Sequence, residues 1–156
     1  PLFNAFLISL IGRYVKRLIV DILSILSCFW LLVFSLSTPH ILGSGILVYK
    51  VGGWAPPFGI SMVLDGLSSF MLIIVSLVAF FVCLYSISYM EKYTDKPKFY
   101  ILFFLMLAGM NGLIVTGDLF NLFVFLEIAS IASYALVAFG TEAEELEAAF
   151  KYTVMG

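Results

Sequence analysis

Long apolar blocks separated by short polar breaks set the first expectation for this chain. About 20 apolar residues cross a hydrocarbon core of roughly 30 Å, and four blocks reach or approach that length: 18–37, 66–90, 99–116 and 119–139. The opening block, 2–11, is too short to span, and reads as the end of a first helix. Near the other end, Thr141 with Glu144 three residues on has the form of a capping box, and Gly140 is suited to closing the preceding helix. A further helix is therefore expected to start near Glu142 and to continue at Gly156. The predicted fold is all-α: a polytopic transmembrane helix bundle of about five membrane helices plus the start of a sixth, with residues 1–156 the N-terminal part of a transmembrane domain.

The longest polar break carries its own pattern. Residues 46–51 and 60–64 are rich in aliphatic and β-branched residues, and between them Gly52-Gly53-Trp54-Ala55-Pro56-Pro57-Phe58-Gly59 is a cluster of breakers. This predicts a short external hairpin, with Trp54 and Phe58 as candidate anchors at the membrane interface, where aromatic rings are favoured.

Composition strengthens the membrane reading. Hydrophobic residues make up 63% and charged residues 12% of the sequence, and the mean hydropathy is +1.14. These values depart from soluble-domain averages toward a chain that dissolves in lipid, and nothing in them points to nucleic acid. The net charge of −2 says less than where the charges fall. If the segments alternate sides, the breaks around Arg13–Arg17, Glu91–Lys98 and Thr141–Lys151 share one face and hold seven of the eight basic residues. The positive-inside rule makes that face cytoplasmic in a multi-pass cell-membrane protein, with the N-terminus and residues 38–65 outside. No signal peptide is expected, because the apolar run precedes Arg13, Lys16 and Arg17 and no small-residue cleavage site follows.

Glu127 is the residue that points to function, because it lies in the middle of the fourth apolar block. An acidic side chain at the bilayer centre costs roughly 2.5–3.5 kcal/mol on insertion scales, so it faces a partner or water and marks an ion or proton path. Ser130 and Tyr134 follow at i+3 and i+7 and share its stripe as candidate path lining. The plainer alternative is a structural carboxyl bonded across helices, with Ser130 allowing close packing. Lys151, with Glu147 at i−4, is either an ordinary surface ion pair or a group at the cytoplasmic entry. Asp65 and Asp118 fit helix capping better than ion binding. Asn111 is suited to bonding across helices, more than to the alternative of solvating an ion; Asp21 is expected to pair with Arg17 or cap, and His40 to lie just outside the second block as a lone imidazole. Cys28 and Cys83 lack CxxC spacing and read as packed small residues. No metal site, phosphate loop, dinucleotide fingerprint or Ser/His/Asp arrangement is present in the pattern, so no cofactor is expected in this chain and any redox chemistry belongs to another.

Several stretches resemble one family: Gly52 to Ile60; Asp65-Gly66-Leu67-Ser68; Ala108-Gly109-Met110-Asn111-Gly112; and Thr116 through Glu127, continuing to Ile131-Ala132-Ser133-Tyr134. They are similar to the proton-translocating, antiporter-like subunits shared by complex I, Mrp sodium/proton antiporters and membrane-bound group 4 hydrogenases, and most similar to the Mrp D-type branch. The resemblance implies about fourteen helices with inverted repeats and half-channels around broken helices, of which this chain supplies the opening. It implies that Glu127 is the fifth-helix glutamate, working against a seventh-helix lysine that lies beyond this sequence. It places Lys151 at the start of the sixth helix. The implied function is a subunit of a multisubunit cation/proton-translocating complex whose partners are other membrane subunits, the lipid bilayer and protons, with sodium left open. The competing class is a non-conducting fragment that docks neighbouring subunits.

Overall fold

The computed structural model describes residues 1–12, 14–43, 45–54, 59–92, 95–140 and 142–155. Six α-helices run in chain order: α1 (Leu2–Ile11), α2 (Arg17–Leu42), α3 (Gly66–Tyr89), α4 (Lys96–Val115), α5 (Leu119–Val137) and α6 (Ala143–Met155). Helices α2 to α5 are long and apolar enough to cross a membrane, as the block pattern predicts. Between α2 and α3, strands β1 (Leu47–Lys50) and β2 (Ser61–Leu64) pair antiparallel, with Leu47 opposite Leu64 and Lys50 opposite Ser61. This is the expected hairpin. A bridge from Met62 to Thr116 ties it to the end of α4. Trp54 is exposed at its turn, while the expected anchor Phe58 and the capping residue Thr141 lie outside the described residues.

Helix α2 runs further than the sequence predicts. It passes through Pro39 to Leu42, so His40 sits in its last turn and not beyond it. Proline has no N–H, which leaves the carbonyl four residues back without its donor. Here that carbonyl is Ser35 O, and the Thr38 hydroxyl donates to it at 2.7 Å. The helix can therefore continue through an apolar environment that punishes unmet backbone groups.

Helices α2 and α3 pack along a seam of small residues. Asp21, Cys28 and Ser35 on α2, and Ser69, Ser76 and Cys83 on α3, recur every seventh residue and are buried. Small side chains let two helices approach closely where lipid offers no hydrophobic drive for association. Hydroxyls stitch the seam. Thr38 Oγ1 and Ser69 Oγ lie 2.6 Å apart, and Ser76 Oγ donates to Ser35 Oγ at 2.7 Å. The Cys28 and Cys83 thiols are free, buried and in contact across it.

Helix α4 is the hub. It packs against α1, α2, α3 and α5, and its Tyr100, Phe103, Phe104 and Leu107 join Ala5, Ile8, Val20 and Ala79 in the core. On its α5 side it presents Gly109 and Gly112. A Cβ built on Gly109 would lie 2.6 Å from the Ala129 backbone nitrogen, and one on Gly112 would run into the Phe125 ring. These two glycines set the distance between α4 and α5.

Candidate functional site

Capping carboxylates start α3 and α5, and α5 carries the candidate site. Asp65 Oδ1 accepts from the Ser68 N–H at 2.7 Å at the start of α3. That backbone donor, helped by the Ser68 hydroxyl, holds the Asp65 carboxyl below its ordinary value. Asp118 caps α5 through the Phe120 N–H at 3.3 Å, and Asn121 Nδ2 donates to Thr116 Oγ1 at 3.0 Å to close the same turn. Both acidic residues cap, as their positions before apolar helices predict.

With α5 anchored by this cap and by the two α4 glycines, Glu127 falls near the middle of the helix. Its side chain is exposed, and it makes no hydrogen bond or ion pair among the described residues. The exposed face also carries Phe120, Phe123 and Ile131. A carboxylate on this face of a membrane-length helix has to be met by further protein or by water, because lipid tails offer it nothing.

The rest of the expected stripe is only partly assembled. Ser130 and Tyr134 are half-buried on the same helix. The Ser133 hydroxyl donates to the Ser130 carbonyl at 2.7 Å. The Tyr134 ring meets Tyr152 of α6 edge to face, with centroids 4.8 Å apart. Lys151, next to Tyr152, is exposed and pairs with Glu147 at 2.5 Å within α6. Among the described residues no ion pair joins Lys151 to Glu127. The α6 start is closed by Glu142, whose N–H donates to Glu145 Oε2 at 3.3 Å.

Sequence reasoning missed the other ionisable cluster. Asp21 was expected to pair locally or cap. Its carboxylate is instead held by α4: Lys96 Nζ lies 2.7 Å from Oδ2, and the Tyr100 hydroxyl donates to Oδ1 at 2.9 Å. Lys96 also donates to the Ile87 carbonyl of α3 at 2.9 Å. All three side chains are buried. Contacts 75 and 79 residues apart leave no trace in local spacing, and Lys96 reads like its neighbours Lys92 and Lys98. The available signal was Asp21 itself, a carboxylate inside an apolar helix. Asn111 also departs from expectation: its amide nitrogen and oxygen are buried without a partner among the described residues. No three His, Cys, Asp or Glu side chains among the described residues converge as a metal site.

Four membrane-length helices, a hairpin between α2 and α3 and a mid-helix carboxylate on α5 mark a multi-pass membrane protein. Residues 51–100 match the family described as NADH-ubiquinone oxidoreductase (complex I), chain 5 N-terminus. The chain is 43% identical over 110 residues to the N-type subunit of the NADH-quinone oxidoreductase of Desulforudis audaxviator (strain MP104C), over 69% of this chain and 22% of that protein. It is 40% identical over 112 residues to the D-type subunit of the Na(+)/H(+) antiporter of Alkalihalophilus pseudofirmus, over 72% of this chain and 23% of that protein. Its fold superposes on a chain of the membrane-bound sulfane sulfur reductase, an archaeal respiratory membrane complex, with a TM-score of 0.90 and 30% identity, over 99% of this chain and 32% of that one. This chain belongs to the family of antiporter-like membrane subunits that Mrp antiporters and complex I share. It spans less than a quarter of the length of the two curated relatives.

Proposed function

We propose that the chain is part of a membrane subunit of a cation/proton-translocating complex, and that Glu127 is a proton-relay group in it. The observation that carries this reading is the state of Glu127: mid-helix, exposed and, among the described residues, unpartnered on the face of α5 that α4 does not cover. An intramembrane carboxylate is costly to keep, and one kept for packing would be bonded to a neighbouring helix. The Asp21 carboxylate in the same chain is bonded in just that way. The names of the relatives, one from a sodium/proton antiporter and one from a quinone oxidoreductase, support the same class.

In this reading the relay continues along Ser130 and Tyr134. The Tyr134–Tyr152 contact then carries the path to α6, where Lys151 serves as the entry-side group. The partner of Glu127 is a cationic side chain supplied by protein beyond these helices, and other membrane subunits surround the bundle. A coupled pair of this kind titrates as a unit. Orientation follows the basic residues, with the N-terminus and the hairpin outside. Cysteines placed at Lys92 and Gly45, both exposed, are expected to label from opposite faces of sealed vesicles, and labelling from one face would overturn that orientation.

The test of the relay is Glu127→Gln in the complete complex, since glutamine keeps the shape and hydrogen-bonding capacity but not the titratable charge. Assembly at wild-type level with most proton-coupled transport lost is the expected result. Wild-type transport rates in vesicles at matched protein levels would remove the relay role and leave the docking fragment as the better reading.

A further inference from the structure

The face of α5 that meets α4 settles where the carboxylate of this helix stands. The buried residues Asn121 and Ala132 share a stripe with Phe125 and Ala129, which lie against the two α4 glycines. At 3.6 residues per turn, the position two residues after Phe125 and two before Ala129 is turned about 160–200° away from both. That position is Glu127, on the exposed side. Resting on the relay reading above, we propose that Gly109 and Gly112 are positioning residues for Glu127. Their contacts with Ala129 and Phe125 fix the depth and rotation of the carboxylate against the groups with which it exchanges a proton.

The two contacts bracket Glu127 and differ in kind. Gly109 is buried and meets backbone: a Cβ there would lie 2.6 Å from the Ala129 nitrogen, 2.8 Å from its Cβ and 2.9 Å from its Cα. Ordinary contact begins near 3.4 Å, and a helix backbone yields only by moving as a whole. A Cβ on Gly112, also buried, would run into the Phe125 ring, which can turn. Little else among the described residues holds α5, which is mostly exposed and, apart from α4, packs chiefly on α6. A shift at Gly109 is therefore carried directly to Glu127, two residues from Ala129.

Relay chemistry is sensitive to such a shift. Proton exchange needs heavy atoms within hydrogen-bond reach or one water apart, and a misplacement of about 1 Å from a remote change can cost roughly 100-fold in rate. The charge on a carboxyl also depends on its distance to a cation. At an effective dielectric of about 20, separating unit charges from about 4 to about 5 Å moves a titration by roughly half a pH unit. Among the described residues the cations of α4 and α6 are engaged elsewhere, Lys96 with Asp21, Lys98 with Asp95 and Lys151 with Glu147. The movement is thus read against the cationic partner that the relay reading invokes.

The test is proton-coupled transport against pH, in vesicles of the complete complex at matched protein levels. Gly109→Ala is expected to lower transport by about tenfold or more and to shift its pH midpoint by roughly half a unit. Gly112→Ala, whose neighbour can move aside, should assemble fully and shift the midpoint by less. A contact that serves stability alone scales the rate equally at every pH and leaves the midpoint in place. An assembled Gly109→Ala complex with the wild-type midpoint therefore overturns the proposal. If Gly109→Ala does not assemble, Gly112→Ala decides: a shifted midpoint supports the proposal and the wild-type midpoint overturns it. Glu127→Gln keeps the two failures apart. Transport lost there, with unshifted midpoints in the glycine variants, ends the positioning role and leaves the relay standing, whereas wild-type transport there ends both.

Discussion

The cluster around Asp21 and the face around Glu127 place the same functional group in opposite circumstances. The Asp21 carboxylate is enclosed by α2, α3 and α4, with an ammonium and a phenol on its two oxygens. Glu127 stands on α5, where the membrane-length window is only 11% buried, against 33% for α4. The first carboxylate belongs to a scaffold that satisfies itself. The second stands on a face that the described residues leave uncovered. Burial with full pairing is how a bundle holds its helices together, and a mid-membrane carboxylate without a pair marks where it meets something else.

The largest effect separates those two roles by stability. Lys96→Met leaves the Asp21 carboxylate buried beside a single phenol, and breaking a buried pair in this way costs about 3–5 kcal/mol. The purified complex should lose assembly or melt well below wild type. The double variant Asp21→Asn with Lys96→Met removes both charges and should recover most of that loss, since replacing a whole buried pair is often neutral. Glu127→Gln keeps the shape and hydrogen-bonding capacity of a side chain that bonds to nothing among the described residues, and should lower thermal stability by less than Lys96→Met. Equal destabilisation by Lys96→Met and Glu127→Gln would erase the contrast between the regions.

A middle-sized effect probes the junction where they meet. Gly109 faces the Ala129 backbone and cannot gain a Cβ unless the helix axes shift, whereas the Cβ at Gly112 meets a side-chain ring that can turn. Overpacking of this kind costs about 1–3 kcal/mol. Gly109→Ala should therefore sit in the upper part of that range and Gly112→Ala in the lower, read as shifts in the melting of the complex. The reverse order would mean that α5 slides easily on α4, and that the position of Glu127 is set by something other than these glycines.

The scaffold was legible in proportion to how local its determinants are. Apolar block length gave the four spans, breakers between β-branched runs gave the hairpin, and aspartates before apolar runs gave the caps. The α2–α3 seam also lies in the sequence as a heptad of Ser, Cys and Asp, but small residues within an apolar run look like dilution of hydropathy, not like an interface. The end of α2 was hidden because Pro39 normally stops a helix, and only the three-dimensional hydrogen bond from Thr38 to Ser35 O shows why it does not. The Asp21–Lys96–Tyr100 cluster needed a tertiary contact. Glu127 was conspicuous because an unpaired carboxylate is improbable in lipid, and no described residue pairs with it.

The smallest effect belongs to the hairpin end of the scaffold. The Asp65 carboxyl is held below its ordinary value by the Ser68 N–H, so its ionised form is favoured in the folded chain. A depressed pKa contributes stability that is present above the unfolded value and disappears as pH falls through the folded one. At neutral pH the cap is fully formed, and it should weaken only in strong acid. Asp65→Ala removes it at all pH values, while Asp65→Asn keeps an acceptor that can cap without a charge. The expected order of melting temperatures at neutral pH is therefore wild type, then Asn, then Ala, with wild type falling toward Asn in strong acid and the Ala variant showing no such drift. Because a single half-buried cap is lost without any shift of helix axes, the changes should be smaller than that of Gly109→Ala. A larger loss in Asp65→Ala would mean that this carboxylate binds something besides the α3 cap, and that the hairpin end is not the self-sufficient scaffold its hydrogen bonds describe.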